Sequence, residues 1–108
     1  MGILDLKHFF GEIRHGTMFQ ALEDFYATGL IHWNAPETTE FRCTVPKGTV
    51  FIISGDFSSL AWVIRCIPRN REEFEKAHVP KSDRDAEKYA GYSFLFTRPT
   101  IKKKLKAV

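Results

Sequence analysis

The stretch TEFRCTVPKGTVFIIS, Thr39–Ser54, decides how this chain is read. β-Branched and aromatic residues alternate with polar ones on either side of Val45-Pro46-Lys47-Gly48, and a proline followed two residues later by glycine is turn chemistry. Proline suits the second position of a type I turn and glycine the left-handed position after it. The spacing therefore predicts a three-residue hairpin loop, because a two-residue Pro-Lys loop would need a positive φ that the proline ring forbids. That loop sets Val45 opposite Thr49, Cys43 opposite Phe51 and Phe41 opposite Ile53. A third strand, Ser59–Ile67, follows the turn Gly55–Ser58, with Phe51 opposite Trp62 and Ile53 opposite Leu60. One face of the meander then carries Phe41, Cys43, Val45, Thr49, Phe51, Ile53, Leu60, Trp62, Ile64 and Cys66. The other carries Glu40, Arg42, Thr44, Val50, Ile52, Ala61, Val63 and Arg65. Slipping the hairpin by one residue would set Arg42 among the aromatics, so turn chemistry and burial pattern agree.

Outward from this stretch, the pattern toward the N-terminus is helical. Asp5 is placed as an N-cap, and Leu6, Phe9, Phe10 and Ile13 follow the i, i+3, i+4, i+7 stripe of an amphipathic helix broken by Gly16. Thr17-Met18-Phe19-Gln20 has the form of a capping box, Met18, Leu22 and Phe25 supply an apolar face, and Gly29 is a helix terminator. Leu30–Pro36 reads as either an edge strand or an extended crossing that sends Trp33 into the core. Toward the C-terminus, Asn70-Arg71-Glu72-Glu73 begins a short helix that Pro80 stops, Ser82–Gly91 holds a second, and Tyr92–Thr97 alternates as a strand that Pro99 ends. The expected fold class is α+β: two N-terminal helices packed on an antiparallel sheet of four to five strands, meander 39–67 plus strand 92–98, with short helices between strands three and four. The alternative is a sheet curled into a small barrel, since residues 41–67 resemble, in architecture only, the small five-stranded barrels of Src-homology type.

A chain of 108 residues with 44% hydrophobic and 14% aromatic content makes one domain, expected over 1–98, with 99–108 as a basic tail. The net charge of +3 resides in that tail. Five Lys/Arg face seven Asp/Glu up to Arg65, six face six from Cys66 to Thr97, and Arg98–Val108 has five basic residues and no acid. No apolar run approaches the ~20 residues of a membrane span, and no signal peptide opens the chain. Metal-ligand spacings and glycine-rich phosphate loops are also missing, so no cofactor is expected. His8, Glu12 and His15 share one side of the first predicted helix and read as a solvated face. His32 and His78 have no motif-linked carboxylate or nucleophile, and Ser54–Ser59 lacks the strand-to-helix form of a nucleophile elbow. The assumed register puts Cys43 and Cys66 roughly 15 Å apart, too far for a disulfide. Two buried free thiols point to a reducing, cytoplasmic setting.

With no catalytic constellation and a second sheet face rich in Val50, Ile52 and Val63, the leading expectation is a small non-catalytic protein-binding module of accessory, adaptor or inhibitor type that self-associates. Its partner-binding residues would be Arg42, Val50, Ile52, Phe57, Val63, Arg65, Arg69 and Arg71. The alternative is a nucleic-acid-binding protein using Arg69, Arg71, Lys102, Lys103, Lys104 and Lys106, with Phe57 as a stacking platform. A third reading is a small hydrolase or nuclease using histidine and arginine.

Overall fold

Residues 17–33 settle the architecture, and they are extended. A computed structural model of the protein describes residues 17–34, 37–54, 61–80 and 87–108. Strands β1 (Met18–Ala21) and β2 (Phe25–Trp33) occupy the place of the expected second helix. Phe19, Ala21, Phe25, Ala27 and Ile31 are buried while Tyr26 and Thr28 are exposed, which is the period of two that a strand imposes. Leu22, which a helix would have buried beside Met18 and Phe25, is 42% exposed. Gly29 terminates nothing. It lies inside β2, where a Cβ would come within 2.5 Å of the Phe41 ring. The first expected helix, over residues 5–16, lies outside the described residues.

Five more strands follow: β3 (Thr38–Val45), β4 (Val50–Ile53), β5 (Val63–Pro68), β6 (Tyr89–Thr97) and β7 (Leu105–Ala107). They form a single seven-stranded antiparallel sheet in the order β3-β2-β6-β5-β4-β1-β7. Two helices accompany it among the described residues, α1 (Arg71–His78) and α2 (Arg98–Lys104), the second near the C-terminus. The architecture is therefore mostly sheet, and the expectation of two N-terminal helices on a four-to-five-stranded sheet is wrong. Gly48 does sit at positive φ (89°) in the turn, which is closed by Thr49 N–H donating to the Pro46 carbonyl at 3.2 Å. That turn does not join paired strands. Val45 lies opposite Phe25, Cys43 opposite Ala27 and Phe41 opposite Gly29, while Phe51 pairs with Pro68 and Ile53 with Cys66. Of the expected helix at 82–90, the described part is a 3-10 turn at 87–88, after which Tyr89 and Ala90 open β6; residues 81–86 lie outside the description.

Two connections force the sheet to curl. Residues 46–49 join β3 to β4, and residues 22–24 join β1 to β2, although each pair is separated by three intervening strands. On a flat sheet strands so placed would be about 19 Å apart, beyond the reach of a closed β-turn. The curl brings both connections to one end of the sheet. There Gly48 N–H donates to the Ala21 carbonyl (2.9 Å), Ala21 N–H donates to the Thr49 carbonyl (2.9 Å) and Lys47 N–H donates to Asp24 Oδ1 (2.6 Å). The concave face fills with rings. Phe94, wholly buried on β6, packs at 5.6 Å from Phe41 of β3, Phe51 of β4 and Phe96 of its own strand. α1 adds Phe74, 5.6 Å from Phe94. Glu72 and Glu73 in its first turn favour the helix through its dipole, although the Asn70 side chain makes no capping bond.

The lysine-rich end is built into the fold. Pro99 stops β6 and opens α2, the Thr97 hydroxyl accepts from Thr100 N–H, and Ile101 and Leu105 are buried. β7 then borders β1. Among the described residues no helix is long and apolar enough to cross a membrane.

Gly29→Ala tests the curled packing. Its methyl must displace the Phe41 ring, so denaturant unfolding should show a loss of about 1–3 kcal/mol, and Phe41→Leu in the same chain should recover part of it.

Candidate functional site

Alternation on β2, β5 and β6 sends Phe94, Ile64, Cys66 and Ile31 inward, so His32, Arg65, Gly91 and Ser93 must face outward. β6 pairs with both other strands, with His32 opposite Gly91, Leu30 opposite Ser93 and Arg65 opposite Leu95. These outward residues line a cleft of ≈ 190 Å³, together with Ser54, Arg71 and Ala90. His32 Nε2 and Ser93 Oγ are 2.8 Å apart, and Ser93 is only 2% exposed.

Arg71 reaches the cleft from the first residue of α1. Its backbone is tied down by Tyr92, whose hydroxyl donates to the Arg71 carbonyl at 2.7 Å. Burial first, then the Glu75 charge, push the Tyr92 pKa up, so the hydroxyl remains a donor throughout the ordinary pH range. The guanidinium lies along β6, with Nη2 2.7 Å from where a Cβ at position 91 would be. Gly91, at φ 132°, is what leaves that space open. Neither Arg65 nor Arg71 has an ion-pair partner among the described residues, and both are exposed.

Burial, and secondarily the Arg65 charge, hold the His32 imidazole below its usual 6.5, so the ring is neutral at pH 7. On β3, Thr38 is opposite His32 and the exposed Glu40 is opposite Leu30. The His32–Ser93 spacing has the form of a base and nucleophile. However, the serine is too buried to meet a substrate, and no carboxylate among the described residues hydrogen-bonds the imidazole. Burial also pushes the Cys43 thiol up to about 11 and the Cys66 thiol up to about 12, which leaves both without nucleophilic character. No group of metal-ligating side chains exists among the described residues, and His8, Glu12 and His15 lie outside them. The polar groups lining the cleft are the Arg65 and Arg71 guanidiniums, the His32 imidazole and the Ser54 and Ser93 hydroxyls.

Beside this cationic end the outer surface turns apolar. Val63 and Leu95 are 44% and 41% exposed, and Trp62, just before β5, is 56% exposed. Trp62 was expected on the inner face opposite Phe51, but β5 starts after it.

The other expected site residues are scattered. Arg42 lies exposed on edge strand β3, separated from β5 by β2 and β6, because the meander that would have placed it beside Arg65 does not form. Arg69 faces a separate depression with Gly48, Thr49, Val50 and Asn70. Val50 and Ile52 are half-buried on β4, and Phe57 lies outside the described residues. Lys102 and Lys103 are exposed on α2 and Lys106 on β7, while Lys104 pairs with Glu23 at 2.6 Å. Of the residues that sequence reasoning put forward, Arg65 and Arg71 line this cleft and Val63 lies two residues before Arg65 on β5, whereas His32, Gly91 and Ser93, which also line it, were not put forward. Outward parity within the aromatic strand was the available signal for Ser93; His32 becomes visible only once β2 is paired with β6.

Comparison with family models, with curated proteins and with solved structures gives no match for this chain.

His32 makes stability depend on pH. Its folded pKa lies below the unfolded value, so the unfolded chain binds the proton more readily and stability declines as pH falls from 6.5 toward the folded value. Urea unfolding at about pH 7.5 and about pH 5 should show a drop that is smaller in His32→Gln. An equal drop in both proteins would contradict the assignment.

Proposed function

We propose that this chain is a small non-catalytic binding module that takes an anionic partner on the outer face of its sheet. The observation that carries this reading is the convergence of Arg65 and Arg71, from two different elements, on one cleft whose described lining contains no carboxylate, Glu75 of α1 lying near Tyr92 but outside that lining. Two guanidiniums left in this state gain charge-assisted hydrogen bonds when a phosphate or carboxylate enters. The neutral His32 ring, held by the buried Ser93, adds a polar edge without adding repulsion among cations. The exposed Val63 and Leu95 supply apolar contact alongside, so the surface offers both charge and shape. The depth of Ser93 supports binding over turnover.

Titration of the full chain with inorganic phosphate at low ionic strength, followed by NMR, tests this reading. Saturable shifts are expected at His32, Gly91, Ser93 and the Nε–H groups of Arg65 and Arg71, and should vanish when both arginines are replaced by alanine. Shifts confined to Lys102, Lys103 and Lys106, or unchanged in the double variant, would overturn it.

A further inference from the structure

Strand β3 forms one border of the sheet, and half of its backbone groups are directed outward from it. Trp33 N–H donates to the Glu37 carbonyl at 3.0 Å. Opposite residues of antiparallel strands exchange hydrogen bonds at every second pair. The register therefore carries this bonding to Thr39, Phe41, Cys43 and Val45, which turn their backbone groups toward β2. Asn34 N–H donates to the Lys88 carbonyl on the β6 side, as that alternation requires. The N–H and C=O groups of Thr38, Glu40, Arg42 and Thr44 point away from β2, where the sheet has no further strand among the described residues. No other group bonds them among the described residues, and all four residues are exposed. Edge strands are commonly blunted by shortness, proline, lysine or a bulge. β3 has eight residues without proline or lysine, paired to β2 in unbroken register, whereas β7 at the other border has three residues and carries Lys106.

A two-fold axis can bring the β3 of a second copy against this border. Only the even-numbered residues have groups to bond across it, which leaves few symmetric registers. An axis at Glu40 sets that carboxylate opposite its own copy, and an axis at Arg42 does the same with the guanidinium. Like charges directly opposite are destabilising. An axis at Phe41 sets Glu40 opposite the second copy's Arg42, Arg42 opposite the second copy's Glu40, and Thr38 and Thr44 opposite each other. That register also engages every outward backbone group of the four residues. Neither Glu40 nor Arg42 has an ion-pair partner among the described residues, so both charges are available. We infer that two copies of this chain associate by antiparallel pairing of β3 with β3 about Phe41, giving one continuous sheet. Backbone bonds supply the attraction, and the exposed ion pairs, which contribute little on their own, select the register. No β3 residue lines the Arg65–Arg71 cleft, so the pairing leaves that cleft open.

Sedimentation of the full chain across a range of concentration tests the pairing. A reversible dimer is expected. Glu40→Arg and Arg42→Glu should each weaken it about ten-fold, because each sets like charges opposite in both of the reciprocal pairs. The two substitutions change the net charge in opposite directions, so general repulsion cannot account for a loss in both. The double variant Glu40→Arg/Arg42→Glu inverts both pairs and should dimerise like the parent. Thermal melts of all three in dilute solution should stay near that of the parent, since both side chains are exposed on the free edge. Amide hydrogen exchange reads the place of contact. Protection of Thr38, Glu40, Arg42 and Thr44 should rise with protein concentration, while Thr39, Phe41 and Cys43 are protected throughout. A chain still monomeric at about 1 mM, a dimer indifferent to the single reversals, a double variant as weak as the single ones, or concentration-dependent protection confined to other strands would overturn the inference.

Discussion

The burial of Phe94 beneath rings from opposite parts of the sheet is the constraint from which this fold follows. A seven-stranded sheet with one apolar face has to cover that face, and the described residues offer only two short helices for the task. The sheet solves the problem by curving onto itself. Phe41 and Phe51 belong to strands separated by three others, yet both rings lie 5.6 Å from Phe94. Phe74 from α1 then fills the space that remains, stacked at 6.1 Å on Tyr92. Edge-to-face and stacked pairs of this kind contribute beyond the area they bury, and each fixes the orientation of the next.

The outer surface inherits its chemistry from this inner requirement. Because Tyr92, Phe94 and Phe96 must point inward, Gly91, Ser93 and Leu95 are committed to the opposite side of β6, and β2 and β5 deliver His32 and Arg65 on either flank. The cleft is therefore set on rigid strands in the middle of the sheet. Arg71 joins it because α1 must place Phe74 in the core and so begins beside Gly91. Core packing and site geometry share the same residues and the same backbone.

Much of the inward and outward sorting could be read from the sequence. The alternation around Phe41, Cys43 and Val45, and around Tyr92, Phe94 and Phe96, gives the buried side correctly. Strand pairing could not be read in this way, because a period of two specifies a face and says nothing of a neighbour. The turn at Gly48 has the positive φ expected of it, but it joins distant strands, so the hairpin built on it fails with all its partners. The segment Met18–Ile31 misled for a different reason. Its apolar residues satisfy both a 3.6-residue and a 2-residue period, and only the break at Leu22–Asp24, tied to Lys104 and Lys47, divides it into two strands. Long-range bonds override local propensity there. The Arg65–Arg71 neighbourhood was visible because those residues are close in sequence; His32 and Ser93, 61 residues apart, were not.

The placement of β1 has a consequence for how the chain acquires its shape during synthesis. β1 lies between β4 and β7, and Glu23 beside it pairs with Lys104, 81 residues further on. An early segment therefore has one of its two borders supplied by a late one. Until α2 and β7 have left the ribosome, β1 exposes an unpaired edge to solvent, and zipping from neighbouring hairpins cannot close it. Closure of that edge waits for α2 and β7, and before they emerge the nascent sheet carries one border open.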